Sequence, residues 1–75
     1  MRAKQEEHFD FLSPCEVTSN QFVIPMNTPY KIEKISKRSK TICVSIVFKL
    51  IDGICYHYDL ELPNLEDIRA AGWAV

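Results

Sequence analysis

Apolar residues recur at every second position along two neighbouring stretches of the chain. Ile42, Val44, Ile46, Phe48 and Leu50 form one series, and beyond Asp52-Gly53 come Ile54, Tyr56, Tyr58, Leu60 and Leu62. Side chains two apart on a strand leave from the same face, so each series makes one apolar surface. Residues 41–62 are therefore predicted to form a long amphipathic β-hairpin.

The turn decides the register. A two-residue Asp52-Gly53 loop pairs Ile51 with Ile54 and sets Phe48 against His57, Ile46 against Asp59 and Val44 against Glu61, mixing apolar and charged residues on a face. A three-residue loop, Ile51-Asp52-Gly53, pairs Leu50 with Ile54, Phe48 with Tyr56, Ile46 with Tyr58, Val44 with Leu60 and Ile42 with Leu62. This loop needs a left-handed residue at its last position, and Gly53 supplies it without a Cβ clash. A one-residue slip turns over every side chain, so the burial pattern selects the three-residue loop.

The rest of the chain is less regular. Residues 15–18 and 21–25 read as short strands joined through Ser19-Asn20, two good turn residues. Met26-Asn27-Thr28-Pro29 reads as a turn, and because Pro29 lacks an amide donor a strand can begin after it but not run centrally through it. Residues 30–36 read as a strand with Tyr30 and Ile32 on one face and Ile35 on the other; either both faces are partly buried or a bulge near Lys34 resets the phase. Ser36-Lys37-Arg38-Ser39-Lys40 is a polar connection. Residues 1–7 are charged and aperiodic, and residues 8–12 are more apolar before Ser13-Pro14 interrupts the chain, so residues 1–14 are read as a flexible or loosely docked arm.

At the end the period changes. Pro63 and Asn64 open a helix, with Asn64 as N-cap, Asp67 three residues later, and Glu66 and Asp67 favouring the positive end of the helix dipole. Leu65, Ile68 and Ala71 or Gly72 give an apolar stripe over eight or nine residues. Gly72 then terminates the helix, and Trp73 folds back on the core. So short a helix is stable only when docked. The expected architecture over residues 15–75 is a single small α+β domain: an antiparallel sheet of three to five strands built around the central hairpin, with one short C-terminal helix. A small five-stranded SH3-like barrel is the runner-up.

Composition sharpens the picture. A chain of 75 residues makes one small domain that buries only about 60% of its unfolded surface, so the core is thin. A hydrophobic content of 47% fits a folded chain. There is no run of eighteen apolar residues and no leader pattern, so neither a membrane span nor a secretory signal is expected. The chain opens with Met1 and reads as a complete small reading frame. Cys15, Cys43 and Cys55 make no even framework. The hairpin register also holds Cys43 and Cys55 about 20 Å apart along the ladder, beyond disulfide reach. Reduced thiols in the cytoplasm are expected.

Charge is distributed unevenly although the net value is −1. Lys31, Lys34, Lys37, Arg38 and Lys40 fall close together with one acid, Glu33, among them. Asp52, Asp59, Glu61, Glu66 and Asp67 follow before Arg69. Opposed patches orient an encounter with a complementary partner, which makes Lys37, Arg38, Lys40, Asp59 and Glu61 the candidate macromolecule-binding residues. The bland alternative is a solvated basic turn and a solvated acidic face.

Chemistry is harder to find. His57, Asp59 and Glu61 share a strand face with Cys55, and the register brings Ser45 to Asp59 and Cys43 to Glu61. Cys55 and His57 stand about 7 Å apart at their Cα atoms, too far for a convincing nucleophile–base pair, so the alternation is read as that of a wet face. His8, Cys15, Cys43, Cys55 and His57 lack paired metal-ligand spacing; Cys55-x-His57 is the nearest approach. No metal, cofactor or catalytic residue is expected. The segment over residues 31–40 can contact phosphates, with Phe48, Tyr56 and Tyr58 as a conceivable stacking platform, but the basic footprint is short.

These residues point to a small non-enzymatic regulator or inhibitor that binds another protein, such as phage and mobile-element accessory proteins that act on a host protein. A nucleic-acid-binding regulator using residues 31–40 is the competing class. The terminal helix can cover only part of the hairpin's apolar face, which leaves a sheet edge or the uncovered face open to pairing with a second copy as a homodimer.

Overall fold

The computed structural model describes residues 9–75. The part of the expected N-terminal arm that spans residues 1–8 lies outside the described residues. The elements in chain order are β1 (Phe11–Leu12), β2 (Val17–Thr18), β3 (Val23–Ile24), β4 (Pro29–Lys37), β5 (Ile42–Lys49), β6 (Cys55–Leu62) and α1 (Leu65–Ala70). Strands β1-β4-β5-β6 form one antiparallel sheet, and β2 pairs with β3 as a separate two-stranded ribbon. The fold is α+β.

The hairpin has the register that its apolar pattern selects. Phe48 faces Tyr56, Ile46 faces Tyr58, Val44 faces Leu60 and Ile42 faces Leu62. The Leu50 amide donates to the Ile54 carbonyl at 3.1 Å and the Gly53 amide to the Leu50 carbonyl at 2.8 Å. Gly53 sits at φ +86°. These features close a three-residue loop with a left-handed glycine, as the hairpin twist requires.

Strand β4 contains the bulge. Ile32 faces Ile46 and Lys34 faces Ser45, so Glu33 is the extra residue. The inserted residue returns Ile35 to the face of Tyr30 and Ile32, opposite Val44. Pro29 is the first residue of the strand, the place where a missing amide does least harm.

Side chains Val44, Ile46, Phe48, Tyr30, Val17, Ile24, Ile68 and Trp73 make the core on one face of the sheet. The β2–β3 ribbon and α1 cover that face together. Phe22 packs on Tyr56 with centroids 5.2 Å apart, and Trp73 sits edge-on to Tyr30 at 5.1 Å and to Phe48 at 6.2 Å. The Tyr30 hydroxyl accepts from the Ala74 amide at 2.8 Å, which fixes the C-terminal return.

Helix α1 is shorter than the expected eight or nine residues. Asn64 caps its start by accepting from the Asp67 amide at 2.8 Å. At its end the Gly72 amide reaches the Arg69 carbonyl and the Trp73 amide reaches the Ile68 carbonyl. With Gly72 at φ +105°, this is a Schellman cap, and it stops the helix at Ala70.

The runner-up barrel is not formed. Strands β2 and β3 pair with each other rather than bridging the outer strands, and among the described residues β6 ends the sheet. Ser13, read from sequence as mere punctuation, is fully buried. Its hydroxyl accepts from the Thr28 amide at 2.9 Å and donates to the Pro25 carbonyl at 3.1 Å. Its backbone bonds Thr28 and Asn27 as well. One serine thus pins the turn before β4 to the segment that follows β1.

Candidate functional site

Three surfaces concentrate the notable side chains. The first is the end of the sheet where β4 turns into β5. Lys37 faces Ile42, which faces Leu62. The Arg38 amide donates to the Thr41 carbonyl at 2.8 Å. The Thr41 hydroxyl donates to the Glu61 carboxylate, and Ser45 donates to Asp59 at 3.1 Å. Lys37, Arg38, Lys40, Asp59 and Glu61 are all exposed. The pairing order therefore gathers at one end of the molecule two groups that are twenty residues apart in sequence, with basic β4 and acidic β6 separated by the width of β5. On the open face the polarity runs across the strands, from Lys34 through Ser45 to Asp59.

The second surface is the opposite end, at the hairpin tip. An apolar groove of about 560 Å³ runs between the turn Pro25, Met26, Asn27, Thr28, Pro29 and the tip residues Lys49, Leu50, Ile51 and Gly53. Ile51 projects fully into solvent, with a relative exposure of 105%, and Met26 and Ile54 stand 57% and 53% exposed beside it. Loop apices normally carry polar residues, so an isoleucine there is a departure from turn chemistry. Leu12, opposite Pro29 in β1, adds 56% exposure to the same end. The sequence reading placed Ile51 in the loop but missed this surface. The signal was the loop composition itself: an isoleucine at a position that packing does not require.

The third is a shallow pocket of about 180 Å³ on the open face, lined by Lys31, Glu33, Val47, Cys55 and His57. The bulge brings Glu33 to His57, Oε1 to Nδ1 at 3.9 Å, with both side chains at least half exposed. Cys55 and His57 lie on the same face of β6, but among the described residues no hydrogen bond joins them. A thiol nucleophile needs its base within hydrogen-bond reach, and the pocket does not assemble that pair. Among the described residues no group of three or more His, Cys, Asp or Glu is placed to hold a metal ion. Cys43 is buried although it faces the open side, whereas Cys15 and Cys55 are exposed. Val47 is buried there too, so the flanking side chains of β4 and β6 shield the centre of a face read from sequence as wet.

The aromatic residues considered as a stacking platform are engaged inside. Phe48 is buried, Tyr56 packs on Phe22, and Tyr58 is partly buried against the core. Phe9 lies on the open face with the ammonium groups of Lys31 and Lys49 at 5.4 and 5.6 Å from its ring centroid. Among the described residues no helix is long and apolar enough to cross a membrane. No family model, curated protein or solved structure matches the chain.

Proposed function

We propose that the protein is a small non-enzymatic regulator or inhibitor that acts by binding another protein. The observation that carries this reading is the apolar tip: a groove of about 560 Å³ with Ile51 wholly exposed on its rim. Water-exposed apolar clusters of this kind are characteristic of interaction sites. Burying one isoleucine side chain on docking contributes about 1.5–3 kcal/mol, enough to make Ile51 an anchor. The fitting partner presents a bulky apolar side chain to the groove between Met26 and Leu50. Lys37, Arg38, Lys40 and Glu61 lie at the far end and Asp59 midway along β6, where they steer the approach and set orientation rather than supply the buried contact.

The test is capture of partners from native lysate on the immobilised protein, with and without nuclease. A protein partner retained after nuclease treatment is expected, and Ile51→Asp is expected to weaken its binding by at least about tenfold. Lys37→Glu with Arg38→Glu, or Asp59→Lys, is expected mainly to slow association, as added salt does for the unmodified protein. Recovery of nucleic acid alone, lost on nuclease treatment and dependent on the basic residues but not on Ile51, overturns the proposal in favour of a nucleic-acid regulator.

A further inference from the structure

We infer that a second copy of this chain docks on the outer edge of β6, antiparallel and centred on Tyr58, to make one continuous sheet across a two-fold axis.

The two outer edges of the four-stranded sheet differ. Along β4 the edge is interrupted by β1 at Pro29 and Tyr30 and by the bulge at Glu33, and it carries Lys31, Lys34 and Lys37. Bulges, lysines and covering strands are the devices that keep an edge from pairing. Strand β6 has none of them: it is regular over eight residues and paired without a register shift, and among the described residues no strand covers its other side. Its core-facing residues Tyr56, Tyr58, Leu60 and Leu62 are each only half buried, whereas Val44, Ile46 and Phe48 opposite them on β5 are wholly buried. The half-buried row ends where a neighbouring strand is missing.

Backbone geometry fixes which groups point outward. Leu50 and Ile54 form a hydrogen-bonded pair. Such pairs alternate along an antiparallel ladder, so Tyr56, Tyr58, Leu60 and Leu62 direct their amides and carbonyls to β5. Cys55, His57, Asp59 and Glu61 direct theirs to the outer edge. A second strand must therefore meet these residues with outward-facing residues of its own.

Three two-fold registers satisfy that rule near the middle of the strand. Centring on Asp59 sets Asp59 against its own copy, and like charges directly opposite are destabilising. Centring on His57 pairs Cys55 with Asp59 and leaves Glu61 beyond the end of the partner strand. Centring on Tyr58 pairs His57 with Asp59 and Cys55 with Glu61 of the second copy, in both directions, so every outward residue of each strand finds a partner. The same register sets Tyr58 beside Tyr58 and Tyr56 beside Leu60 of the second copy, which extends the half-buried apolar row. On the open face Asp59 and Glu61 also accept from Ser45 and Thr41, and His57 stands 3.9 Å from Glu33, so these side chains meet the second copy with their remaining hydrogen-bonding capacity. The interface is separate from the apolar tip and stands whether or not the tip binds a partner, but it shares Asp59 and Glu61 with the charged residues proposed to steer one.

The experiment combines sedimentation equilibrium with a distance measurement on the full chain. Cys55 is exposed and Cys43 buried, so in Cys15→Ser a nitroxide label is directed to Cys55. The Tyr58-centred dimer separates the two Cys55 Cα atoms by about 20 Å; a register centred on His57 gives about 14 Å, and one centred on Asp59 about 27 Å. A concentration-dependent dimer with the intermediate distance is expected. His57→Pro removes an outward amide without touching the inner ladder and is expected to give a folded monomer. His57→Asp sets two carboxylates opposite each other and is expected to weaken the dimer about tenfold, whereas His57→Asp with Asp59→His restores it. A protein that stays monomeric at several hundred micromolar, a dimer showing either other distance, or open-ended growth beyond the dimer overturns the inference.

Discussion

Replacing Ser13 by alanine tests how the groove wall is built. Ser13 is fully buried, and its hydroxyl serves two groups of the turn across from it. The substitution leaves the Pro25 carbonyl with a remaining donor, the Thr28 hydroxyl at 2.6 Å. It leaves the Thr28 amide without its side-chain acceptor, in a buried place. An orphaned buried donor costs about 1–3 kcal/mol, whereas loss of one bond whose acceptor keeps another donor costs about 0.5–1.5 kcal/mol. Thr28→Val is the matched control, since it preserves shape, removes the Thr28 hydroxyl and leaves Ser13 bonded to Pro25. Ser13→Ala should therefore destabilise the domain by about 2 kcal/mol, and Thr28→Val by about 1. In a domain of this size the first change lowers Tm by about 8–16 °C. Urea titration followed by the fluorescence of Trp73, the one tryptophan of the chain, measures both. Hydrogen exchange at the Asn27 and Thr28 amides should accelerate in Ser13→Ala. A Ser13→Ala variant within about 0.5 kcal/mol of the parent, or one more stable than Thr28→Val, refutes the clamp.

Other substitutions probe the turns and thiols. Gly53→Val should cost about 1–2 kcal/mol from the left-handed backbone alone, because among the described residues no atom lies within 4 Å of an added Cβ. Asp52→Ala should cost less, since it removes only the exposed bond from the Ile54 amide to the Asp52 carboxylate; equal denaturant midpoints would contradict the three-residue loop. Gly72→Ala should cost about 2–4 kcal/mol and more than Gly53→Ala, because the new Cβ meets the Pro14 Cβ at 2.7 Å in addition to the strained φ. Thermal melts of the two variants side by side decide this, and a smaller loss at Gly72 counts against the packing of the helix end on Pro14. Cys43→Ser should cost about 1–3 kcal/mol, since it buries a hydroxyl, whereas Cys15→Ser and Cys55→Ser should stay within about 0.5 kcal/mol. All three are expected to keep partner binding, and loss of capture with Cys55→Ser alone would implicate the thiol.

Local patterns carried the hairpin, its loop and the helix cap. Alternation along residues 42–62 admits one register that keeps charges off the apolar face, and Gly53 is the residue that makes that loop possible. Asn64, Ile68, Gly72 and Trp73 likewise encode helix start, buried stripe, stop and return within a dozen residues. The helix length was misjudged because both its cap and its continuation share the Ala70-Ala71 stretch, and the Schellman bonds of Gly72 and Trp73 decide between them. The phase break in β4 admitted either two partly buried faces or a bulge near Lys34, and only pairing with β5 decides for the bulge and locates it at Glu33.

What sequence left open depended on contacts between distant segments. Ser13 carries no local sign that its hydroxyl serves residues twelve and fifteen positions away. The open sheet, rather than a closed barrel, followed from β2 and β3 pairing with each other, a choice that short strands of weak periodicity do not announce. The approach of Lys37, Arg38 and Lys40 to Glu61 at one end of the sheet, with Asp59 midway along β6, arose from strand order. The apolar tip needed both Ile51 and the Pro25–Pro29 turn, which the pairing of β4 with β5 and the Ser13 bonds together bring opposite it. Periodicity is a property of one strand and reports which face is buried; strand order, edges and grooves are properties of several segments, and only tertiary packing decides which of them meet.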